Sequence, residues 1–577
     1  MKKKLLPALI VTGLIILVVI IMGITALINK YTPTKKTEDL KEYFNISSDD
    51  EAALIVDNEL SDYKAKIIDK KIYVDYKFVH DSLNSRFYWD ANENVLLYTT
   101  ASDIISAAAD SNSYSVTKQT NDFGYPIVKA TSDSALIALD YVKQYSNITF
   151  KSYDDPARIV ITSKWDEIDS ATVSKSTQVR VKGGIKSPIL KEVKKDDKIT
   201  ILDSGDKWDK IATEDGVIGY IKGKALSESK KTKLTNPDYE EETFTHIKKD
   251  KDICLAWNQV TSQSANSKVP QVISSTKGIN VMSPTWFYLN DNNGNLADIA
   301  SKDYVSYCHS QGIEVWGLFS NFENTDVDAA YVLTHTSTRT TLINQIMSAA
   351  FNYELDGVNI DFENITEAAY GDSYIEFIRE LAIKCHNNGI SLSVDVTVPA
   401  SFNKFFNRSD MANFADYIVI MGYDEHYKGS DAGSVSSIPW VTEGVESTLK
   451  EVPADQIILG MPFYTRIWEL TPKEDDDAVT DTEDQSKYTV ASQVYSMDAA
   501  AAQLATNNAT TALDEESGQN YAEWSVSNKL YKIWLEDSTS LEKRLKLVDD
   551  NKLAGAAFWK LGFENSSVWD TVIKYLN

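Results

Sequence analysis

The stretch DGVNIDFENI, residues 356–365, decides the fold. From Val358 onward it alternates apolar with polar or acidic residues. Side chains on a β-strand alternate between its two faces, so Asn359, Asp361 and Glu363 point the same way. Carboxylates placed side by side in a buried strand are costly unless they are paired or used. The spacing therefore predicts a chemical site at the end of a buried strand.

Strand and helix patterns alternate on both sides of this stretch. Apolar or alternating segments of strand length are separated by helical patterns such as Arg339–Tyr353 and Ser373–Gly389. The eight predicted strands are Asp252–Trp257, Ile279–Phe287, Ile313–Phe319, Asp356–Glu363, Ile390–Val398, Tyr417–Asp424, Ile457–Tyr464 and Gly555–Leu561. This order predicts a (β/α)8 TIM barrel over residues 246–577, with an α+β insertion between strands seven and eight, from Trp468 to about Trp534. The acidic run Glu474–Asp484 inside the insertion is interpreted as a solvated loop rather than a calcium site.

Active sites of such barrels lie at the carboxyl ends of the strands. Asn359, Asp361 and Glu363 fall at the end of the fourth strand, facing the barrel axis. A neighbouring negative charge and a dry pocket both raise the pKa of a carboxyl group, which keeps Glu363 protonated near neutral pH. A protonated carboxyl is what a general acid requires. The alternative is a structural polar cluster that caps the barrel.

The segment DGVNIDFE resembles the signature of glycoside hydrolase family 18, the chitinases and related N-acetylglucosaminidases, whose usual form is Asp-Gly-x-Asp-x-Asp-x-Glu. MGYDEH at residues 421–426, LGMPFYTRIW at 459–468 and LAGAAFWKLG at 553–562 are similar to further motifs of that family, in the same order. The resemblance implies that Glu363 protonates the glycosidic oxygen, that Asp361 orients the N-acetyl group of the substrate, and that Tyr423 hydrogen-bonds that group. It also implies a hydrophobic floor at Trp559 and a subsite lined by Met421 and Asp424.

The reaction implied by this resemblance is retaining hydrolysis of β-1,4 linkages between N-acetylglucosamine units. The acetamido oxygen of the substrate attacks the anomeric carbon, so neither an enzyme nucleophile nor a metal or other cofactor is required. The expected partner is peptidoglycan or a chitin oligosaccharide, and not nucleic acid. Two other classes remain open: a non-catalytic, lectin-like glycan-binding protein of the envelope, and an envelope assembly or adhesion factor whose barrel is a scaffold.

Asn359 departs from the family signature, which has aspartate there. We expect its amide to hydrogen-bond Asp361 without exchanging a proton, and so to alter the pH profile rather than abolish activity. Several aromatic residues near strand ends could stack on sugar rings or fill the barrel, and of these Trp257, Trp286 and Tyr464 are predicted to bind substrate while Trp316 stays undecided. Arg466 is a weaker candidate for a sugar or carboxylate contact.

The first residues predict a membrane anchor. Lys2, Lys3 and Lys4 precede an uncharged apolar run, Leu5–Ile28, which is long enough to span a bilayer. The positive-inside rule places the lysines in the cytoplasm and the rest of the chain outside the cell, single-pass in the cell membrane. Residues 1–28 are therefore the predicted anchor and 29–44 a linker, with cleavage near Ala26 as the alternative.

Two further regions precede the barrel. Residues 45–166 contain a repeat in which Val79–Thr100 aligns with Val142–Ser163, each copy reading as a helix end, a strand, an acidic turn and a strand. This pattern resembles the N-terminal domain type of copper amine oxidases, and without a His or Cys cluster it implies no copper. Residues 171–228 resemble the bacterial Src-homology-3-like family, a small all-β barrel that would bind the cell wall through Trp208 and Tyr220 unless these form its core. Residues 229–245 form a polar linker.

Composition narrows the class of protein. The 577 residues are 43% hydrophobic and carry a net charge of -26, which is typical of folded domains and argues against nucleic acid as a ligand. Cys254, Cys308 and Cys385 suit neither a zinc site nor a disulfide framework and are interpreted as buried free thiols.

Overall fold

The computed structural model describes residues 5–365, 368–473 and 484–576. These residues form two compact units: Met1–Phe87, Ala107–Tyr114 and Asp122–Glu241 make up the first, and Tyr88–Ser106, Ser115–Asn121 and Glu242–Asn577 the second. Most of the acidic run predicted as a solvated loop, residues 474–483, lies outside the described residues.

The chain begins with a long apolar helix. Within the described residues one helix, Pro7–Tyr31, is long and apolar enough to cross a membrane, a test that a signal sequence near an N-terminus also passes. The helices up to residue 166 are α1 (Leu5–Tyr31), α2 (Leu40–Tyr43), α3 (Tyr76–Ser82) and α4 (Leu139–Gln144).

Two sheets follow before residue 166. Their strands are β1 (Glu51–Val56), β2 (Glu59–Ile68), β3 (Lys71–Asp75), β4 (Phe87–Asp90), β5 (Val95–Thr99), β6 (Ile104–Ala108), β7 (Ser113–Val116), β8 (Gln119–Asp122), β9 (Val128–Ala130), β10 (Ala135–Ala138), β11 (Thr149–Tyr153) and β12 (Arg158–Thr162). A seven-stranded sheet has the order β11-β12-β1-β2-β3-β10-β9, and β4 to β8 form a five-stranded sheet in sequence order. Each copy of the sequence repeat thus holds a helix and two strands, but the strands of the two copies lie in different sheets.

Seven strands of one mostly antiparallel sheet occupy Glu167–Lys233. They are β13 (Glu167–Thr172), β14 (Thr177–Arg180), β15 (Ile189–Val193), β16 (Lys198–Asp203), β17 (Trp208–Thr213), β18 (Ile218–Lys222) and β19 (Lys230–Lys233). Trp208 and Tyr220 are half-buried there and lie outside the apolar cluster formed by residues such as Val179, Ile211 and Ile221. They are therefore not the core of this region, which leaves both rings available for contact.

The rest of the second unit alternates strands and helices. Its strands are β20 (Ile253–Asn258), β21 (Val281–Leu289), β22 (Leu296–Asp298), β23 (Glu314–Ser320), β24 (Gly357–Asp361), β25 (Ser391–Thr397), β26 (Tyr417–Met421), β27 (Ile457–Pro462), β28 (Tyr464–Pro472), β29 (Tyr488–Ser496), β30 (Ala512–Asp514), β31 (Gln519–Val526), β32 (Lys529–Leu535) and β33 (Gly555–Trp559). Its helices are α5 (Val269–Ser274), α6 (Lys302–Ser310), α7 (Ala329–Thr334), α8 (Thr336–Tyr353), α9 (Gly371–His386), α10 (Arg408–Phe414), α11 (Ile438–Thr448), α12 (Met497–Thr506), α13 (Ser538–Asn551) and α14 (Trp569–Val572).

Eight parallel strands close into a barrel in the order β20-β21-β23-β24-β25-β26-β27-β33, since β33 pairs with β20. This confirms the predicted TIM barrel. Inward side chains such as Leu255, Trp316 and Val419 form one apolar cluster inside it, and outward side chains form a second one against the helices. The glycine that precedes Val358 has a structural reason, because a Cβ on Gly357 would lie 2.5 Å from the Trp316 ring. Cys254, Cys308 and Cys385 are buried and free, as predicted.

The insertion between barrel strands seven and eight forms a five-stranded antiparallel sheet, β29-β28-β32-β31-β30, with α12 against it. It begins at Tyr464 rather than Trp468. The barrel pairing ends where the Phe463 N–H donates to the Trp559 carbonyl, 2.7 Å away, and Tyr464 already pairs with Ser496 of β29. Tyr464 therefore belongs to the insertion and not to the seventh barrel strand.

The predicted boundary at residue 166 does not describe the second unit, because Tyr88–Ser106 belongs to the same unit as the barrel. Buried polar contacts fix this segment to helices α8 and α9. The Tyr88 hydroxyl lies 2.9 Å from Ser373 Oγ, and the Thr99 hydroxyl donates to Glu376 Oε1 over 2.8 Å. Buried hydrogen bonds of this kind depend on spatial neighbours that the repeat pattern does not encode.

Arg339 on α8 is fully buried and lies under the Tyr88 ring, with 2.7 Å hydrogen bonds from Nε to Glu380 and from a terminal nitrogen to the Leu333 carbonyl. Removing one member of a buried ion pair leaves the other charge uncompensated. We expect Arg339→Met to lower the free energy of unfolding by about 3–5 kcal/mol, measured by urea unfolding of the full chain. The control is Lys277→Met, whose pair with Asp570 is largely exposed and contributes about 0–1 kcal/mol. Equal losses in the two variants would contradict the prediction.

Candidate active site

A pocket of about 310 Å³ opens at the carboxyl ends of the barrel strands. Its volume falls at the lower end of the range for small-molecule sites. Asp361 is the last residue of β24, and Glu363 lies two residues beyond the strand rather than inside it. The alternation nevertheless persists, because Asp361 and Glu363 both line the pocket while Phe362 is buried in the outer apolar cluster.

Most of the residues singled out in the sequence come together in this pocket. Those that line it are Trp257, Asp361, Glu363, Met421, Tyr423, Asp424, Tyr464, Arg466 and Trp559. They come from different strands and from the insertion, so the barrel brings them together from positions up to 302 residues apart (Trp257 to Trp559). Within the described residues no group of three His, Cys, Asp or Glu side chains is arranged to hold a metal ion.

Glu363 lies at the mouth of the pocket. Burial raises its pKa above the usual value, and the charges on Asp424 and Glu323 raise it further. A carboxyl group with a raised pKa retains its proton closer to neutral pH. Glu363 can therefore donate a proton to a bound molecule.

Asp361 lies deeper and is 6% exposed. Burial raises its pKa well above the usual range, and the charges on Asp395 and Glu363 add to that effect. Among the described residues its Oδ1 atom has no hydrogen-bond partner. A buried polar atom without a partner is rare and often marks a place where a ligand binds.

Asn359 does not make the contact expected from the sequence. Its Oδ1 atom accepts from Trp257 Nε1 at 3.0 Å and from Ser283 Oγ at 2.9 Å, and its Nδ2 atom donates to Asp395 Oδ1 at 2.7 Å. The amide is fully buried behind the pocket wall, so the predictions that Asn359 binds substrate and hydrogen-bonds Asp361 are both wrong. The physical reason is that two donors fix the amide oxygen and turn its nitrogen towards the neighbouring strand.

Tyr423 follows β26 and lies against Trp257 and Tyr464, with ring centroids 6.5 Å and 6.2 Å away. Burial raises the pKa of Tyr423 well above its usual value, and the charges on Asp361 and Asp395 raise it further. The phenol therefore stays neutral and can donate a hydrogen bond into the pocket.

Asp424 is held by the insertion. Its Oδ1 atom accepts from the Tyr464 hydroxyl at 2.6 Å, and an Arg466 guanidinium nitrogen lies 3.7 Å from the same atom. Tyr464 and Arg466 both lie on β28, so the insertion supplies one wall of the pocket together with Val494 of β29.

The predicted aromatic residues divide into two groups. Trp257 and Trp559 line the pocket with ring centroids 6.0 Å apart. Trp286 is fully buried in the outer apolar cluster, where its Nε1 donates to Asn266 Oδ1 at 2.8 Å, so its predicted role in substrate binding is wrong. Trp316 stacks on Tyr417 deep inside the barrel and is a packing residue.

Two carboxyl groups of the pocket were missed in the sequence. Asp395 lies on β25 and is 3% exposed, and Glu323 follows β23 and accepts from the Ser320 hydroxyl at 2.6 Å and 2.7 Å. The alternation in SLSVDVT places Asp395 on the inward face of its strand, a signal that could have identified it. Glu323 lies in a loop, where periodicity gives no signal. The remaining lining residues are Gln259, Thr285, Leu318, Phe322, Val494 and Phe563.

Residues 319–564 match the family described as Glycosyl hydrolases family 18. The chain is 24% identical over 302 residues to a Bacillus subtilis protein named uncharacterized glycosylase YvbX, covering 49% of this chain and 81% of that protein. It is 24% identical over 287 residues to the cortical fragment-lytic enzyme of Bacillus subtilis, covering 48% of this chain but only 63% of that protein.

Among solved structures, the spore cortex-lytic enzyme SleL of Bacillus cereus superposes with a TM-score of 0.50 at 18% sequence identity, covering 56% of this chain and 74% of that one. This likeness shows the fold. The family match spans the strand that carries Asp361 and Glu363, the strand that precedes Tyr423, and Trp559. Residues 319–564 therefore form a glycosyl hydrolases family 18 domain, which makes this protein a glycoside hydrolase.

Proposed function

We propose that this protein is a membrane-anchored, extracellular glycosidase that cleaves β-1,4 linkages of N-acetylglucosamine-containing polysaccharide by retaining, substrate-assisted catalysis. The observation that carries the proposal is Glu363, a carboxyl group with a raised pKa at the mouth of a pocket at the carboxyl end of the barrel. In this proposal Glu363 donates its proton to the glycosidic oxygen and later takes a proton from water.

The neighbours of Glu363 suit an attacking group that belongs to the substrate. Asp361 presents an unpartnered oxygen, and Tyr423 is a neutral donor in the same pocket. An acetamido group offers one N–H for Asp361 and one carbonyl oxygen for the Tyr423 hydroxyl. Held in this way, the carbonyl oxygen attacks the anomeric carbon and forms a cyclic oxazolinium intermediate, while the charge on Asp361 stabilises the developing positive charge. Trp559 and Trp257 form apolar walls for the sugar.

Peptidoglycan is the polymer that we favour, with chitin as the alternative. Relatives of this chain include a cortical fragment-lytic enzyme from Bacillus subtilis and a probable endochitinase from Caenorhabditis elegans, so both polymers occur among them by name. The helix Pro7–Tyr31 supports an anchor, and the sheet of Glu167–Lys233 with its half-buried Trp208 and Tyr220 supports a domain that contacts the wall. Together they would hold the barrel next to its substrate.

The test is digestion by the purified full chain in detergent. Peptidoglycan and chitin oligosaccharides are incubated with the protein, and the new reducing ends are identified by mass spectrometry. We expect N-acetylglucosamine reducing ends that keep the β configuration when first released. The matched control is the same polymer after chemical removal of its N-acetyl groups, which should resist cleavage because it lacks the attacking oxygen. Equal cleavage of both polymers would reject substrate assistance, and binding without cleavage would favour a lectin-like protein.

The pH dependence follows from the causes of the raised Glu363 pKa. Activity requires the protonated acid and is lost as the pH rises through that pKa. Replacing Glu323 with glutamine removes a negative charge that disfavours ionisation, so the pKa of Glu363 falls and the alkaline limb of kcat/KM moves to lower pH. Glu314→Gln, at the opposite end of β23, is the matched control and should leave the limb in place. A shift to higher pH in Glu323→Gln would contradict the assignment.

A further inference from the structure

Asp395 lies on β25, next to the strand that carries Asp361, and both side chains line the same pocket. Its carboxyl group is buried, and the family signature in residues 356–363 does not include it. The groups that act on the pKa values of Asp395 and Asp361, or respond to their charges, are Glu363, Glu323, Tyr374, Tyr423, Asn359 and Trp257. None of these six is a cation, so no positive charge among them compensates two ionised carboxylates.

The hydrogen bonds around Asn359 fix Asp395 in one orientation. Trp257 and Ser283 both donate to the amide oxygen, which leaves the amide nitrogen to donate to Asp395 Oδ1 at 2.7 Å. The other oxygen, Asp395 Oδ2, is buried and has no hydrogen-bond partner among the described residues, and the same is true of Asp361 Oδ1. Two buried carboxyl oxygens thus lack a hydrogen, which a single proton between the two groups would supply.

We propose that Asp395 is a positioning residue that holds one proton jointly with Asp361 in the empty pocket and retains it when an acetamido group binds. This inference rests on the proposed function. The pair carries one proton and one negative charge before and after binding. When the acetamido N–H arrives as a donor to Asp361, the proton resides on Asp395 Oδ2, and Asp361 is fully ionised beside the reacting centre.

The energetics of burial support this sharing. Two neighbouring carboxylates in a dry site cannot both ionise at low cost, and burial raises the pKa of Asp395 well above its usual range. Asn359 cannot take a proton, because an amide has no titratable site in this range. The residue that can take it is Asp395 on the adjacent strand, and the bond from Asn359 holds that residue in place.

The experiment compares three variants of the full chain on the polymer that the wild type cleaves. Asp395→Asn cannot share a proton, so we expect kcat to fall by about tenfold to a hundredfold with a smaller change in KM, and the acidic limb of the pH profile to move. The double swap N359D/D395N keeps one carboxyl and one amide across the same hydrogen bond, with the carboxyl two residues from Asp361. We expect it to recover most of the lost kcat.

Asp416→Asn is the matched control for the loss of a buried carboxyl group. Asp416 precedes β26 at the opposite end of the barrel and accepts from the backbone N–H groups of Ile247 and Leu392 at 2.6 Å and 2.8 Å. Its loss should lower the melting temperature and leave the pH profile unchanged. A wild-type pH profile and kcat in Asp395→Asn, or a double swap no more active than Asp395→Asn with the same melting temperature, would overturn the inference. A wild type without activity on any polymer would instead reject the proposed function.

Discussion

Replacing Glu363 with glutamine is expected to lower kcat by about 10³–10⁴-fold while the protein still binds the oligosaccharide, because the amide keeps the shape of the side chain but has no proton to donate. The leaving sugar would then depart as an unprotonated alkoxide. Glu363 is solvent-exposed at the pocket mouth, so the exchange should not change the melting temperature appreciably.

The measurement is kcat from the release of reducing ends, together with the dissociation constant of the oligosaccharide from calorimetry. Glu323→Gln is the matched control, since it makes the same chemical change in the same pocket and leaves the acid in place. Turnover by Glu363→Gln within tenfold of the wild type would exclude Glu363 as the proton donor. A loss of binding equal to the loss of turnover would show that the residue acts in binding only.

Replacing Asp361 with asparagine is expected to lower kcat by about 10²–10³-fold, because a neutral amide cannot stabilise the positive charge that develops on the acetamido group. The same change relieves the burial of a carboxyl group whose Oδ1 atom has no partner among the described residues. We therefore expect the melting temperature to stay the same or to rise, as is common where an active site is held in a destabilising arrangement.

Parallel measurements of kcat and of the melting temperature test this prediction. A fall in both would show that Asp361 is mainly structural. Asp416→Asn gives the contrast, since that carboxyl group has backbone and histidine partners and should lose stability without losing catalysis directly.

Strand periodicity was enough to place Asp361 and Glu363 on one face, because alternation is a local property of the backbone. The same rule, applied from Ser283 and Thr285 on the inward face, turns Trp286 outward, but proximity to a strand end was taken as the signal instead. The eight strand segments were also recognisable, since each is an apolar or alternating run of strand length.

The sequence by itself determined the barrel, the order of its strands and the pair Asp361 and Glu363 at the end of the fourth. Only the tertiary structure decided the rest: Asn359 bonds Asp395, Tyr464 and Arg466 reach the pocket from the insertion, and Tyr88–Ser106 lies with the barrel. Alternation tells which face a side chain occupies, but the neighbour that it meets depends on the register between strands, such as Asn359 opposite Ser393. That register is set when the whole sheet closes, which no local stretch of sequence encodes.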